Sequence, residues 1–296
     1  MRLICFSILT AIIFYSCQES DRQLTVGGSY GIGETIEGLR QGEWKFYFEN
    51  ESLEAEGGFL DDSANGDWIF YFENGEVEEI SSWSKGYLDG DYFSYWPNKN
   101  LKESGHYVQD RRYGIWRIFA EDGTKEAEGE FDNNFMQGRW EFWFPNGQLK
   151  AVNNYRDSLA HGSLLEYYEN GQIKTEGLFR YGRQDSIWNH YYPDGTLLEV
   201  NSWISGEKSG LSTTFYQNGN KKTESNYLYN VKNGIENRYY QDGSLKIRCR
   251  YVMGKEHGWF DYYLKDGTDD GHIYFDMGVQ KLDKEQSKPN YDLKVN

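Results

Sequence analysis

Aromatic and polar residues follow a fixed ruler along this chain. The stretch GRWEFWFPNG, residues 138–147, places Trp140, Phe142, Trp143 and Phe144 between two glycines, and its parts recur every 24 residues without an insertion. Two positions of the period are aromatic in every unit. One runs Tyr47, Tyr71, Tyr95, Phe119 and onward to Tyr263; the other runs Phe59, Trp83, Tyr107, Phe131 and onward to Phe275. Two more are mostly aromatic. Trp44, Trp68, Trp116, Trp140 and Trp188 mark the first, with Tyr92 and Phe260. Phe48, Phe72, Trp96, Phe144, Tyr168, Tyr192, Tyr216 and Tyr240 mark the second.

Each period predicts a β-hairpin. The first strand is short, as in 139–144. The second, 148–155, alternates: Leu149, Ala151, Asn153 and Tyr155 face one way, and Lys150, Val152 and Asn154 the other. Between them stand Gly75, Gly123, Gly147, Gly171, Gly195, Gly219 and Gly243, each preceded by Asn or Asp. That pair predicts a two-residue type I′ turn. A second glycine keeps the same register from Gly42 to Gly258. The slot of Asn153 holds Gly57, Gly105, Gly129 or Gly177 elsewhere, which leaves room for a neighbouring ring. One hairpin is marginal in water, so each needs its neighbours. The predicted fold is all-β, an elongated single-layer array of about ten 24-residue hairpins over 37–276.

Departures from the ruler mark weaker places. Glu51 and Lys99 replace the turn glycine, and Asn100 offers a turn shifted by one. Ser186 replaces the second glycine, and Leu164, Ser212 and Glu236 replace tryptophan. The stretch 200–250 is therefore either a softer segment or a face built for something else.

Composition agrees with many short strands: 18% aromatic, 33 glycines and 4 prolines. The net charge of −16 repels phosphate backbones and anionic headgroups, which argues against nucleic acid and against charge-driven membrane binding. The first residues, MRLICFSILTAIIFYSC, read as a basic start, an apolar run and a small residue before Cys17. The run is too short to span a bilayer and suits a secretory signal. Ser16-Cys17 resembles the lipobox of bacterial lipoproteins, which implies lipidation at Cys17; an ordinary signal peptide is the alternative. The following QESD resembles an export signal of surface lipoproteins. On this reading 1–17 is the signal, 18–36 a flexible tether and 277–296 a cap or loose tail. Cys249 is left alone, so no disulfide framework or cysteine metal site is expected.

Catalysis needs converging groups, and the sequence offers none. His161 and His257 share a slot that elsewhere holds Gln41, Asn65 or Asp89, so they read as polar turn residues. DGTDDG at 266–271 lacks the later Glu of an EF-hand loop. No enzyme, metal or cofactor is expected.

The pattern G-x-W-x-x-Y-[YF]-x-N-G, with an aromatic eight residues after its last glycine, resembles the MORN repeat. It is closest to the bacterial variant found in proteins labelled antitoxin components. EGEFDNNFMQGRWEFWFPNGQLK carries it well, and the likeness extends over about 37–276. It implies a scaffold or contact surface. Choline- and glucan-binding repeats are a rival, but their unit is nearer 20 residues. The expected function is a non-catalytic envelope lipoprotein that binds protein, held at the outer membrane, on its periplasmic or surface side, only through its lipid. A glycan-binding module and an antitoxin are the alternatives. The invariant aromatics are expected to form the core, and Trp44, Trp68, Trp116, Trp140 and Trp188 are expected to meet the partner.

Overall fold

The computed structural model describes residues 22–24 and 29–281. Cys17, the segment expected to be a signal, and residues 282–296 lie outside them. Every regular element among the described residues is a β-strand, and every pairing given is antiparallel between strands that follow each other in sequence, save that Leu245–Val252 pairs with both Lys255–Glu256 and Gly258–Tyr263. The array is all-β and built of 24-residue hairpins, as the period predicts. It falls into two compact units, 1–99 and 100–296.

In the first unit, Arg22–Leu24, Tyr30–Ile36, Leu39–Tyr47, Leu53–Leu60, Ser63–Tyr71, Val77–Ser84 and Tyr87–Tyr95 pair in chain order. Two strands thus fall where a tether was expected. The second of them, YGIGETI, places Gly33 opposite Trp44, the same pairing as Gly57 with Trp68. The array therefore starts half a period early. The second unit repeats the plan from Leu101–Val108 to Val279–Lys281, the last strand lying in the segment expected to be a cap or tail.

The turns correct the sequence reading. At the Asn-Gly sites, Gly147 N–H donates to Phe144 O at 2.9 Å, and Phe144 N–H to Gln148 O at 2.8 Å. Gly147 has φ 80°, but Asn146 is not at positive φ. This is a three-residue loop, a type I turn closed by a left-handed glycine, rather than type I′. Asn146 supports it differently, by accepting Gln148 N–H at 2.9 Å. The seven glycines named above all adopt φ between 80° and 92°. Glu51 (φ 65°) and Lys99 (φ 72°) simply take the glycine conformation, so Asn100 shifts nothing.

The type I′ turns sit at the other end of each hairpin. Asp61-Asp62, Asn133-Asn134 and Asp157-Ser158 have both residues at positive φ, between 49° and 69°. Their residue types vary, which hid them from the pattern.

The second glycine makes a bulge. The pairing Gly57–Trp68 is followed by Phe59–Ala64, so three residues around Gly66 oppose one on the facing strand. The bulge frees the Gly58 carbonyl, and the Trp68 indole N–H donates to it at 3.1 Å. Trp44, Trp140 and Trp188 do the same to Glu34, Glu130 and Leu178 at 3.1–3.2 Å.

Candidate interaction surfaces

The expected contact tryptophans are the core. Trp44 is 1% exposed, Trp68 4%, Trp116 0%, Trp140 2% and Trp188 3%. The reason is local. Each lies over the glycine of the preceding strand, where a Cβ on Gly129 would stand 2.1 Å from Trp140 Cδ2. The aromatic at the Phe59 position closes the other side edge-on: Phe131 meets Trp140 at 5.0 Å and Phe179 meets Trp188 at 4.9 Å. The always-aromatic position of Tyr47, expected in the core, is instead half-buried, and alternation along the strand puts it on the opposite face from the tryptophans.

Where tryptophan is lost, its partner changes with it. Ser212 Oγ donates to Asn201 at 2.8 Å, and Ser225 Oγ donates to Glu236 at 2.7 Å. Glu236 is 2% exposed and also takes hydrogen bonds from Lys232 and, at 2.7 Å, from Arg238. Burial pushes its carboxyl up, but the bonds from Lys232, Ser225 and Arg238 prevail and hold it below the ordinary value. Beside it the Cys249 thiol is pushed up to about 12, first by burial and then by the Glu236 charge. Such a thiol is no nucleophile at neutral pH. The stretch 200–250 is therefore a segment with a polar core.

No cluster of three or more His, Cys, Asp or Glu able to hold a metal occurs among the described residues. His161 accepts Tyr181 N–H at 3.3 Å and packs edge-on to that ring, and His257 stands 3.7 Å from Asp276. Both serve the turns around them.

The face opposite the tryptophans carries two features. Tyr71–Glu56, Tyr191–Glu176 and Tyr239–Glu224 hydrogen-bond at 2.5–2.7 Å, and burial followed by the carboxylate pushes each phenol up to about 12. Beside them, in three consecutive periods, Ile187, Leu211 and Ile235 are 58%, 47% and 42% exposed. Leu165, Leu178 and Val200 lie half-buried around them on the same face. A shallow open depression there is lined by Leu165, Glu176, Ile187 and Asn189. In the two preceding periods the Ile187 position holds Arg139 and Ser163, so the apolar run begins at Ile187, and the period after Ile235 continues it with Trp259. The same ruler that revealed the tryptophans would have found it.

At the edge of the Asn-Gly loops, Tyr168, Tyr192, Tyr216 and Tyr240 each donate a hydroxyl to the backbone carbonyl 23 residues ahead. The acceptors are Tyr191, Phe215, Tyr239 and Tyr263, at 2.7–3.1 Å.

No curated protein is significantly similar in sequence. Among solved structures, chains described as "Crystal Structure of TcdB2-TccC3-Cdc42" and "Crystal Structure of TcdB2-TccC3-TEV" align at 10% identity over 84% and 86% of this chain. The chain spans only 18% and 16% of theirs, with TM-scores of 0.16 and 0.17. The family model described as "MORN repeat variant" matches residues 40–61, 64–85, 88–109, 136–157, 160–181 and 208–229. These six stretches begin at multiples of 24 residues from one another, so the match follows the chain's own period.

Proposed function

We propose that this protein is a non-catalytic scaffold, exported and anchored through lipid on Cys17, that binds a protein partner on the sheet face opposite its tryptophans. The observation that carries the reading is the run Ile187, Leu211 and Ile235. Three large apolar side chains stand in line and exposed in a chain of net charge −16, where the two preceding periods place Arg139 and Ser163 and the following one adds Trp259. Apolar surface grouped in this way marks protein contacts. The buried tryptophan face offers no comparable surface.

The test is photo-crosslinking in native cells from an unnatural residue at position 187, compared with the double variant Ile187→Asp, Leu211→Asp. Both positions are exposed, so the variant keeps its fold, which circular dichroism checks. A discrete crosslinked protein that disappears in the variant supports the scaffold. Unchanged co-purifying proteins in the variant refute this face as the contact. Palmitate labelling lost in Cys17→Ala supports the anchor, and an unlabelled full-length cytoplasmic protein refutes it.

A further inference from the structure

We infer that the Asn-Gly loop edge from Tyr168 to Tyr240 is a binding platform for an uncharged, linear β-1,4-linked polysaccharide. The ladder is confined to consecutive periods. Tyr168, Tyr192, Tyr216 and Tyr240 fill a position that holds Phe48, Phe72, Trp96, Ala120, Phe144 and Leu264 elsewhere. Only in these four does the hydroxyl have a backbone carbonyl to hold, and all four use it. Each ring is therefore fixed in one orientation, with part of its surface still open to solvent. A fixed flat ring loses little entropy on meeting a ligand.

Spacing and charge select the ligand. Successive rings are one hairpin apart, two strands or about 9.6 Å. Two pyranose rings of a β-1,4-linked chain advance by about the same length, so one disaccharide registers on each tyrosine and stacks the apolar side of a sugar on the phenol. The charges around these loops are nearly balanced: Glu169, Asp194, Asp242, Asp266, Asp269 and Asp270 stand against Lys174, Lys221, Lys222, Lys246 and Lys265. In a chain of net charge −16 this nearly balanced edge suits a neutral ligand rich in hydroxyls. Lys222 lies over the Tyr216 ring at 5.7 Å from its centre, and Lys246 and Lys265 over that of Tyr240 at 5.3 and 5.8 Å, so a stacked sugar displaces these flexible side chains and meets their ammoniums as donors. A polyproline II peptide also advances by about 9.3 Å per turn. Its carbonyls would find only the lysine ammoniums, however, because the tyrosine hydroxyls are already committed to the protein's own backbone.

The experiment is isothermal titration of the full chain in detergent with cellohexaose, chitohexaose and mannohexaose, and with a polyproline peptide. At least one hexasaccharide binds. Tyr192→Leu with Tyr216→Leu weakens that binding by about tenfold, equivalent to ~1.4 kcal/mol. Tyr192→Phe with Tyr216→Phe, which keeps the rings, weakens it far less. Because the Leu variant could unfold, protection of the four tyrosines from tyrosine-directed labelling by the bound sugar is read by mass spectrometry in the unaltered chain. Failure of all three sugars, binding without tyrosine protection, or binding by the polyproline peptide alone overturns the inference.

Discussion

At the strand position facing each core tryptophan, the side chain is either absent or chemically matched. Gly33, Gly57, Gly105, Gly129 and Gly177 face tryptophans, and an added Cβ would lie 2.1–2.3 Å from the nearest ring atom in every case. Asn201 and Ser225 face Ser212 and Glu236 instead. The Glu236 cluster makes a pH prediction with a definite sign. Its carboxyl is held below the ordinary value in the folded chain, so it adds stability that is complete above the unfolded carboxyl range. That stability is lost as pH falls through the lowered folded value. Urea unfolding of the wild type and of Glu236→Gln should differ by about 1–3 kcal/mol at neutral pH. The gap should close on acidification below about pH 4.3. A gap independent of pH would show that the carboxylate charge contributes nothing. Lys232 and Arg238 are partly exposed and can rehydrate, which keeps the loss moderate.

At the scale of the element, the two hairpin ends differ although both are tight. The type I′ ends hold residues the conformation disfavours, such as Tyr229 at φ 50°. Tyr229→Asn should raise stability by about 0.5–1 kcal/mol, read as a higher urea midpoint at constant slope. The same change at Glu73, which does not adopt positive φ, should raise it by nothing measurable. Equal gains at both sites would refute the turn assignment. The period, strand directions and repeat number were legible because an unbroken 24-residue register leaves no freedom in placing aromatics. The turn type was not, since Asn-Gly serves both a two-residue turn and the last two positions of a three-residue loop. The core assignment held at the Phe59 position and failed at the Tyr47 and tryptophan positions, for a related reason. In a sheet rich in rings on both faces, exposure does not follow from which aromatic never varies. It follows from what lies opposite. Gly129 pointed to a ring resting on it, and pairing through the Gly138 bulge selects Trp140. The tyrosine ladder was visible as aromatic residues, but its hydroxyl bonds cross from one hairpin to the next and need coordinates.

At the scale of the molecule, a strand that pairs only with its sequence neighbours makes each unit quasi-one-dimensional. Stability is then a sum of hairpin terms and nearest-neighbour interfaces, and damage stays local. Within the unit 100–296 this can be tested by crowding one tryptophan. A Cβ at Gly177 would stand 2.3 Å from Trp188 Cδ2. The indole is held from withdrawing by its 3.2 Å bond to Leu178 O and by Phe179. Gly177→Ala should cost about 1–3 kcal/mol through overpacking. Native-state hydrogen exchange should quicken in Ile173–Arg180 and Arg183–Tyr191 and in the strands next to them, Leu159–Tyr167 and Leu197–Ile204. Exchange in Val231–Tyr239 and Leu245–Val252, more than three strands away, should keep its wild-type rate. Uniform acceleration through the unit would mean that its hairpins open as one cooperative body. A local response would mean that a partner on Ile187, Leu211 and Ile235 stiffens the hairpins it covers and leaves the others as they were.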